Sequence, residues 1–412
     1  MPASPHVLFA GGGSASHLFP GMAVADHLRR RLPNIQVTFA GSGAARERHT
    51  VRIAGHHYTM IPSQAMPRNP LQAVRFVTDN VAGYCAARWM LREQRVSLVV
   101  GLGGSTSVAV VRAAVARGIP VVLLEQNAVP GRTTRWLSRA AAMVCAAFEE
   151  VRPHVHVQAP VTVTGNPSRA GFEDLYQKVY GRGAQVSSGA PGSGLAASSA
   201  ERTPRLASDG APALRIASES RRQRRLVILG GSGGARSLNE SIPGALAKLG
   251  DKMNGWQVVH QTGELQLQET EARYARHGLK VLAVTHIDEI ASVLFASDLV
   301  VSRSGGSTLA ELALAGAPAV LVPYPQAADN HQTANAKVFT AAGACRMIDE
   351  SQQIGVLDAA LARELDPLIT DNHLRDEMAR AMQRLARPNA ASQIAAAITD
   401  QLCGVVSGLL AA

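Results

Sequence analysis

Apolar residues in this chain recur in short runs, separated by longer stretches in which they fall on one helical face. In the first half the runs predict strands at His6–Ala10, Gln36–Ala40, Leu98–Val100, Val121–Leu124, Ala142–Cys145 and Val161–Val163. Helices fill the gaps, notably Gly21–Arg31, Leu71–Arg95 and Ser107–Arg117. Strands alternating with helices predict a parallel, doubly wound α/β sheet. A short helix at Gly171–Tyr180 follows, and then the periodicity stops. Residues 181–225 are rich in Gly, Ser, Ala, Pro and Arg and read as a disordered insertion. The pattern resumes at Leu226–Leu229, with strands at Gln257–His260, Val281–Val284, Leu299–Val301, Ala319–Val322 and Cys345–Ile348. Each half opens with a strand running into a glycine-rich turn, Val7–Gly13 and Val227–Gly234. The simplest architecture is two Rossmann-like domains facing each other across a cleft. They are residues 1–165 and 226–389, joined by a linker 166–225 that carries the insertion. A final helix, about 390–412, is expected to pack back on the first domain. Ligands belong at the carboxyl ends of the strands, where the halves converge.

Composition narrows the class. A chain of 412 residues with 46% apolar content can fill two cores. The cysteines, Cys85, Cys145, Cys345 and Cys403, are scattered, which argues against a disulfide framework or a zinc site and fits a reducing compartment. Met1–Pro5 is short and uncharged, so no signal peptide is expected, and no apolar run reaches the roughly 20 residues that span a bilayer. The net charge of +10 is uneven: +10 over residues 1–164, +5 over 165–225 and −5 over 226–412. A basic first half points to an anionic partner such as phospholipid or pyrophosphate. Nucleic acid is disfavoured, because aromatics are only 4% of the chain and basic residues are not interleaved with them.

The most informative stretch is Leu299–Ala336. A buried strand breaks into the turn Ser302–Ser307 and restarts as a helix at Thr308–Glu311. Backbone N–H groups and the helix dipole there suit a phosphate. Glu311, one turn on, can accept from a sugar or ribose diol, so the site suits a nucleotide sugar. Three further turns sit at strand ends in the first half. Gly11–His17 has the wrong spacing for a dinucleotide fingerprint, and no acidic residue closes the second strand, so NAD is disfavoured. His17 at its mouth is placed to act as a general base. Gly101–Ser105 forms a second close-approach turn, and the two can grip a pyrophosphate between them. Glu125, Gln126 and Asn127 end another strand and are expected to point into the cleft. In the second half Gly230–Arg236 places Ser232 at a helix N-terminus but lacks a P-loop lysine, and His260–Gly263 ends the next strand. His56, His57, His154 and His156 show no metal spacing and read as surface or packing residues.

Taken together, GGGSASHLFPGMAVA, GLGGSTSVA, LEQNAVPGRTTRWLS, GNPSR, GGSGGARSLNE, HQTG, HIDEI and SRSGGSTLAELALAGAPAVLVPYPQAADNHQTANA resemble the MurG family of bacterial UDP-N-acetylglucosamine transferases, in the family's order, over residues 7–336. The resemblance implies a GT-B fold and an inverting transfer of GlcNAc from UDP-GlcNAc to the C4 hydroxyl of lipid I, without metal or cofactor. It implies a donor site of Asn127, Arg169, Ser232, Ile287, Gly306, Ser307, Thr308, Glu311 and Gln332. Ile287 would hold uracil through main-chain atoms, Ser232 and Thr308 the pyrophosphate, Glu311 the ribose and Gln332 the sugar. Arg169 would respond to bound nucleotide. The acceptor and its diphosphate would meet Gly12, Gly13, Ser14, Ala15, Ser16, Gly103, Gly104 and Glu125, with His17 as base. The resemblance also implies a peripheral place on the cytoplasmic side of an anionic inner membrane, with cell-wall or division proteins as further partners. The apolar stripe Pro70–Val77, with Trp89 and Trp136, fits apolar contact with that membrane, and an ordinary buried helix explains it equally well. One departure stands out. The family's turn carries Thr-Gly-Gly before the histidine, and here it is Ser14-Ala15-Ser16, whose Cβ atoms restrict close backbone approach. Two other readings stay open: a GT-B transferase with a diacylglycerol-type acceptor, and a UDP-sugar-binding protein disabled at that turn.

Overall fold

A computed structural model of the chain describes residues 4–12, 15–64, 71–156, 158–169, 171–181, 223–231, 233–353 and 355–411, with the backbone alone at 15–17, 71–72 and 404–411. The expected insertion therefore lies outside the described residues, except at its two ends.

The first sheet holds β1 (His6–Gly11), β2 (Gln36–Gly41), β3 (His57–Met60), β4 (Leu98–Gly103), β5 (Val121–Glu125), β6 (Met143–Ala146) and β7 (Val161–Val163), in the order β3-β2-β1-β4-β5-β6-β7. The second holds β8 (Arg224–Leu229), β9 (Trp256–Gln261), β10 (Leu282–Val284), β11 (Leu299–Ser302), β12 (Ala319–Leu321) and β13 (Cys345–Met347), in the order β10-β9-β8-β11-β12-β13. Every pairing is parallel. Both sheets thus reverse direction at their first strand, which puts a crevice between β1 and β4 and another between β8 and β11.

Four apolar clusters cover the two faces of each sheet. The C-terminal helix, Ala390–Ala411, crosses to the first half. There Ala391, Ile394, Ala395, Ile398 and Leu402 pack with Val7, Phe9, Leu28 and Phe39. One cluster spans the joint, where Ala128, Phe148 and Phe172 meet Leu309, Ala336 and Phe339 of the second half.

The structure differs from the sequence reading in three places, each with a physical reason. The helix expected from Gly21 begins at Ala15 and runs through Pro20 to Arg31. Proline removes one helical hydrogen bond, but burial of Leu18, Met22 and Ala25 on the same face overrides it. Strand β3 was not expected. It is a four-residue edge strand whose ends, His57 and Met60, are exposed, so it carries no apolar run. Arg224 and Arg225, read as the end of the insertion, instead open β8. Arg225 is buried, its N–H donating to Asp298 at 2.7 Å and its guanidinium to Gln257, while Arg224 lies over the Trp256 ring.

Candidate functional site

In the second half β11 ends at Ser302, and the helix Gly306–Ala315 starts after Gly305, which has extended φ/ψ and no side-chain cap. The first N–H groups of that helix, at Gly306, Ser307 and Thr308, therefore face the cleft without intrahelical acceptors, an arrangement that attracts anions. Glu311, one turn further, is 1% exposed. Its carboxylate is held two-pronged by Arg169, with Nε and a terminal nitrogen each at 2.5 Å. Burial works against the Arg169 charge, but the Glu311 partner outweighs it and raises the guanidinium's pKa. Arg169 also lies over Phe19 of the first half, 5.6 Å from its centroid, so one side chain touches both walls. Gln332, in the first turn of the helix His331–Ala341, accepts from the Tyr324 N–H at 2.9 Å. Ile287 is buried in the core beside the exposed His286 and Asp288, which anchors the turn after β10.

The halves meet through backbone. A Cβ on Gly306 would lie 2.0 Å from the Gln126 carbonyl oxygen, so only glycine lets the two walls approach this closely. Asn127 donates to Glu125 and accepts from Asn335 at 3.0 Å, and Asn335 also accepts from the Ala128 N–H at 2.8 Å. Glu125 was expected to point into the cleft. It is 5% exposed, and its oxygens instead accept from the N–H groups of Asn127 and Gly131. Burial raises its pKa, partly offset by Thr134, Asn127 and Gly131. A buried carboxylate turned into its own loop organises that loop and is poorly placed to meet a diphosphate.

In the first half the two glycine-rich turns touch: a Cβ on Gly104, at φ 81°, would lie 2.3 Å from the Gly12 carbonyl oxygen. Behind them the hydroxyls of Ser63, Thr106 and Ser105 form a chain, at 2.8 and 3.3 Å. Glu47 lies under Gly12 and accepts from Ser42 and Tyr58. Gly103 has open space above it. Gly13, Ser14 and Ser232 lie outside the described residues, as do the side chains of Ala15, Ser16 and His17, whose backbone forms the first helical turn.

Of the remaining histidines, His56 is buried against Phe39, with Nε2 3.5 Å from Asp26 but without hydrogen-bond geometry. His260 is fully buried beside Tyr274. A cavity of about 880 Å³ lies elsewhere on the second half and reaches the donor turn only at its rim, where Ser237 and Glu350 bind Arg303.

Three residues near the cleft escaped the sequence reading. Asn166 reaches Ser307 at 3.5 Å, and its Oδ1, like the Ser168 hydroxyl, is buried without a hydrogen-bond partner among the described residues. Both lie in the GNPSR segment, where only the arginine drew notice. Asn335 sits in the last polar stretch of the long motif, and its partner Asn127 is 208 residues away.

The residues matched by family models cover both halves. Residues 7–146 match the glycosyltransferase family 28 N-terminal domain and residues 225–394 its C-terminal domain. The chain is 36% identical to a UDP-N-acetylglucosamine–N-acetylmuramyl-(pentapeptide) pyrophosphoryl-undecaprenol N-acetylglucosamine transferase of Halorhodospira halophila, over 94% of this chain and 96% of the relative. It is 31% identical to the Myxococcus xanthus protein of the same name, over 96% and 92%. The crystal structure of Acinetobacter baumannii MurG superposes with a TM-score of 0.68 at 27% identity, covering 96% of this chain and 99% of that one. Two matched Rossmann-like sheets and relatives aligned over almost their whole length place the chain in glycosyltransferase family 28, among the MurG N-acetylglucosaminyltransferases.

Proposed function

We propose that the protein transfers GlcNAc from UDP-GlcNAc to the C4 hydroxyl of the N-acetylmuramyl sugar of undecaprenyl-pyrophosphoryl-MurNAc-pentapeptide, giving lipid II for peptidoglycan synthesis. Full-length relatives that carry this activity in their names support the reading. The observation that carries it is the uncapped start of the Gly306–Ala315 helix, set opposite Gln126 and Asn127. The acceptor hydroxyl attacks the anomeric carbon, its proton leaves to a base, and the anomeric carbon–oxygen bond to UDP breaks with inversion. The leaving diphosphate gathers negative charge where the helix N–H groups point, which stabilises it without reorganisation. Thr308 and Ser232 meet the diphosphate, Ile287 the uracil, Glu311 the ribose and Gln332 the sugar, with Asn127, Gly306 and Ser307 lining the same space. His17 is the proposed base. Gly12, Gly13, Ser14, Ala15, Ser16, Gly103 and Gly104 cradle the acceptor's diphosphate.

The protein works at the cytoplasmic face of the inner membrane. Among the described residues no helix is long and apolar enough to cross a membrane. The helix Leu71–Glu93 exposes Val74, Val77, Val81 and Trp89 beside Arg75, Arg88 and Arg92, a pattern suited to docking on anionic lipid. Cell-wall and division proteins are further partners in this reading.

The test is transfer of labelled GlcNAc to a short-chain lipid I analogue, with a diacylglycerol acceptor and an EDTA-treated sample in parallel. Transfer to lipid I alone, undiminished by EDTA, is the expected result. His17→Ala should lower turnover by roughly 100-fold while leaving UDP-GlcNAc affinity near wild type. Transfer to diacylglycerol, or an unchanged turnover in the variant, would remove the acceptor or the base assignment respectively.

A further inference from the structure

The helix that carries Gln332 is tied to the opposite half of the molecule on both sides of that residue. Three residues before it, the Asp329 carboxylate reaches across the cleft to Arg135 at 2.5 Å, with Arg132 at 3.9 Å. Three residues after it, Asn335 is fully buried and bonded to Asn127 and to the Ala128 N–H. At the first tie the chain turns sharply: Asp329 and Asn330 both sit at φ 52°, a left-handed conformation that Asp and Asn reach more readily than other side-chain-bearing residues but that remains above the helical minimum, so contacts help to hold it. The group that grips Asp329 is the arginine pair on the first half's helix Arg132–Leu137. Gln332 spends its oxygen on the Tyr324 N–H, and among the described residues its amide N–H groups make no hydrogen bond. They are the part of it left for a ligand hydroxyl.

We infer that Arg135, supported by Arg132, is a positioning residue for donor-sugar recognition, acting across the cleft through Asp329. The inference rests on the reading that Gln332 meets the donor sugar. When the halves are apart, the Asp329–Asn330 turn loses its grip and relaxes, and Gln332 moves with it. The nucleotide part of the donor is bound by groups of the second half at Glu311, Thr308 and Ile287, and does not depend on this tie. Sugar recognition is therefore completed by the acceptor half, so a donor is fully read only when the cleft is closed.

The test separates sugar from nucleotide. UDP-GlcNAc and UDP are titrated calorimetrically into the full chain and into R135Q, D329N, the double variant and R135K. All altered side chains are at least partly exposed, so folding is not at stake. Each neutralising single variant should weaken UDP-GlcNAc about two- to fivefold, the size of a half-exposed ion pair, and leave UDP unchanged. The double variant should be no weaker than either single, and R135K should recover most of the affinity. Equal losses for UDP and UDP-GlcNAc, or additive losses in the double variant, would overturn the inference. Because the readout is binding, it stands apart from the transfer assay: a Q332A chain that keeps the wild-type affinity for UDP-GlcNAc would instead undermine the donor-sugar reading itself.

Discussion

The two halves share one strand order yet face the cleft with different chemistry. In the second half the backbone N–H groups at the start of the Gly306 helix are flanked by side chains, each in a fixed bond: Glu311 to Arg169, Gln332 to the Tyr324 N–H, Asn335 to Asn127. In the first half the wall is backbone, Gly12 against Gly104, with small hydroxyls behind. Directional side chains suit a ligand with a defined array of hydroxyls. Amide-rich turns suit charge spread over many equivalent oxygens. One topology is fitted to two ligand chemistries by what stands at the strand ends, and the fold itself does not choose between them.

The sharpest way to break this comparison is at the joint. Gly306→Ala would drive a methyl group against the Gln126 carbonyl and part the walls, while Gly104→Ala would strain only the interior of the first half. Gly306→Ala should lower GlcNAc transfer by roughly 100-fold, the usual cost of an ångström of misplacement, with little change in melting temperature. Gly104→Ala should lower the melting temperature first. If both variants behave alike in steady-state kinetics and calorimetry, the joint has no special role.

Removing the side-chain wall comes next. Glu311→Ala leaves Arg169, 30% exposed, without its partner, at a cost of about 3 kcal/mol, the low end for a buried pair. It should also weaken UDP roughly tenfold through the lost ribose contact. Urea denaturation reads the first effect and calorimetry the second, and an unchanged UDP affinity would remove the ribose role.

The smallest effect concerns pH. Burial lowers the His260 pKa from 6.5 to about 3. The folded state therefore refuses a proton that the unfolded state takes up. His260 makes no pH-dependent demand above pH 6.5, and stability is lost as pH falls from 6.5 towards about 3. His260→Gln should flatten that decline in the second half's denaturation midpoint, whereas variants in the first half should not. Parallel declines in wild type and variant would rule His260 out as a source.

Much of this was legible in the sequence because period and punctuation agree. Twelve strands announce themselves as apolar runs ending at Gly, Ser or polar turns, and β11 with its following helix reads directly from Leu299–Glu311. What stayed hidden depends on distance along the chain. Glu125 is the local exception: its partners Asn127 and Gly131 lie in the same loop, and only the loop's three-dimensional turn brings their N–H groups onto the carboxylate. Nothing near Glu311 says that a linker arginine 142 residues away will cover it. Asn335 and Asp329 show their meaning only once the second half faces the first. The edge strand β3 was invisible for a simpler reason: half-exposed edges need no apolar pattern.

The C-terminal helix has a consequence for synthesis. Ile394, Ile398 and Leu402 fill the face of the first sheet that Val7, Phe9 and Phe39 leave open. A ribosome that has finished β7 has therefore released a sheet whose apolar face is covered only in part, by the helix Ala15–Arg31, and the rest of the cover is not made until more than two hundred further residues have emerged. The first half is born unfinished. A nascent chain at that stage should lean on a chaperone or on loosely native packing of its early helices, and the second half, whose elements are contiguous, should reach its stable form first.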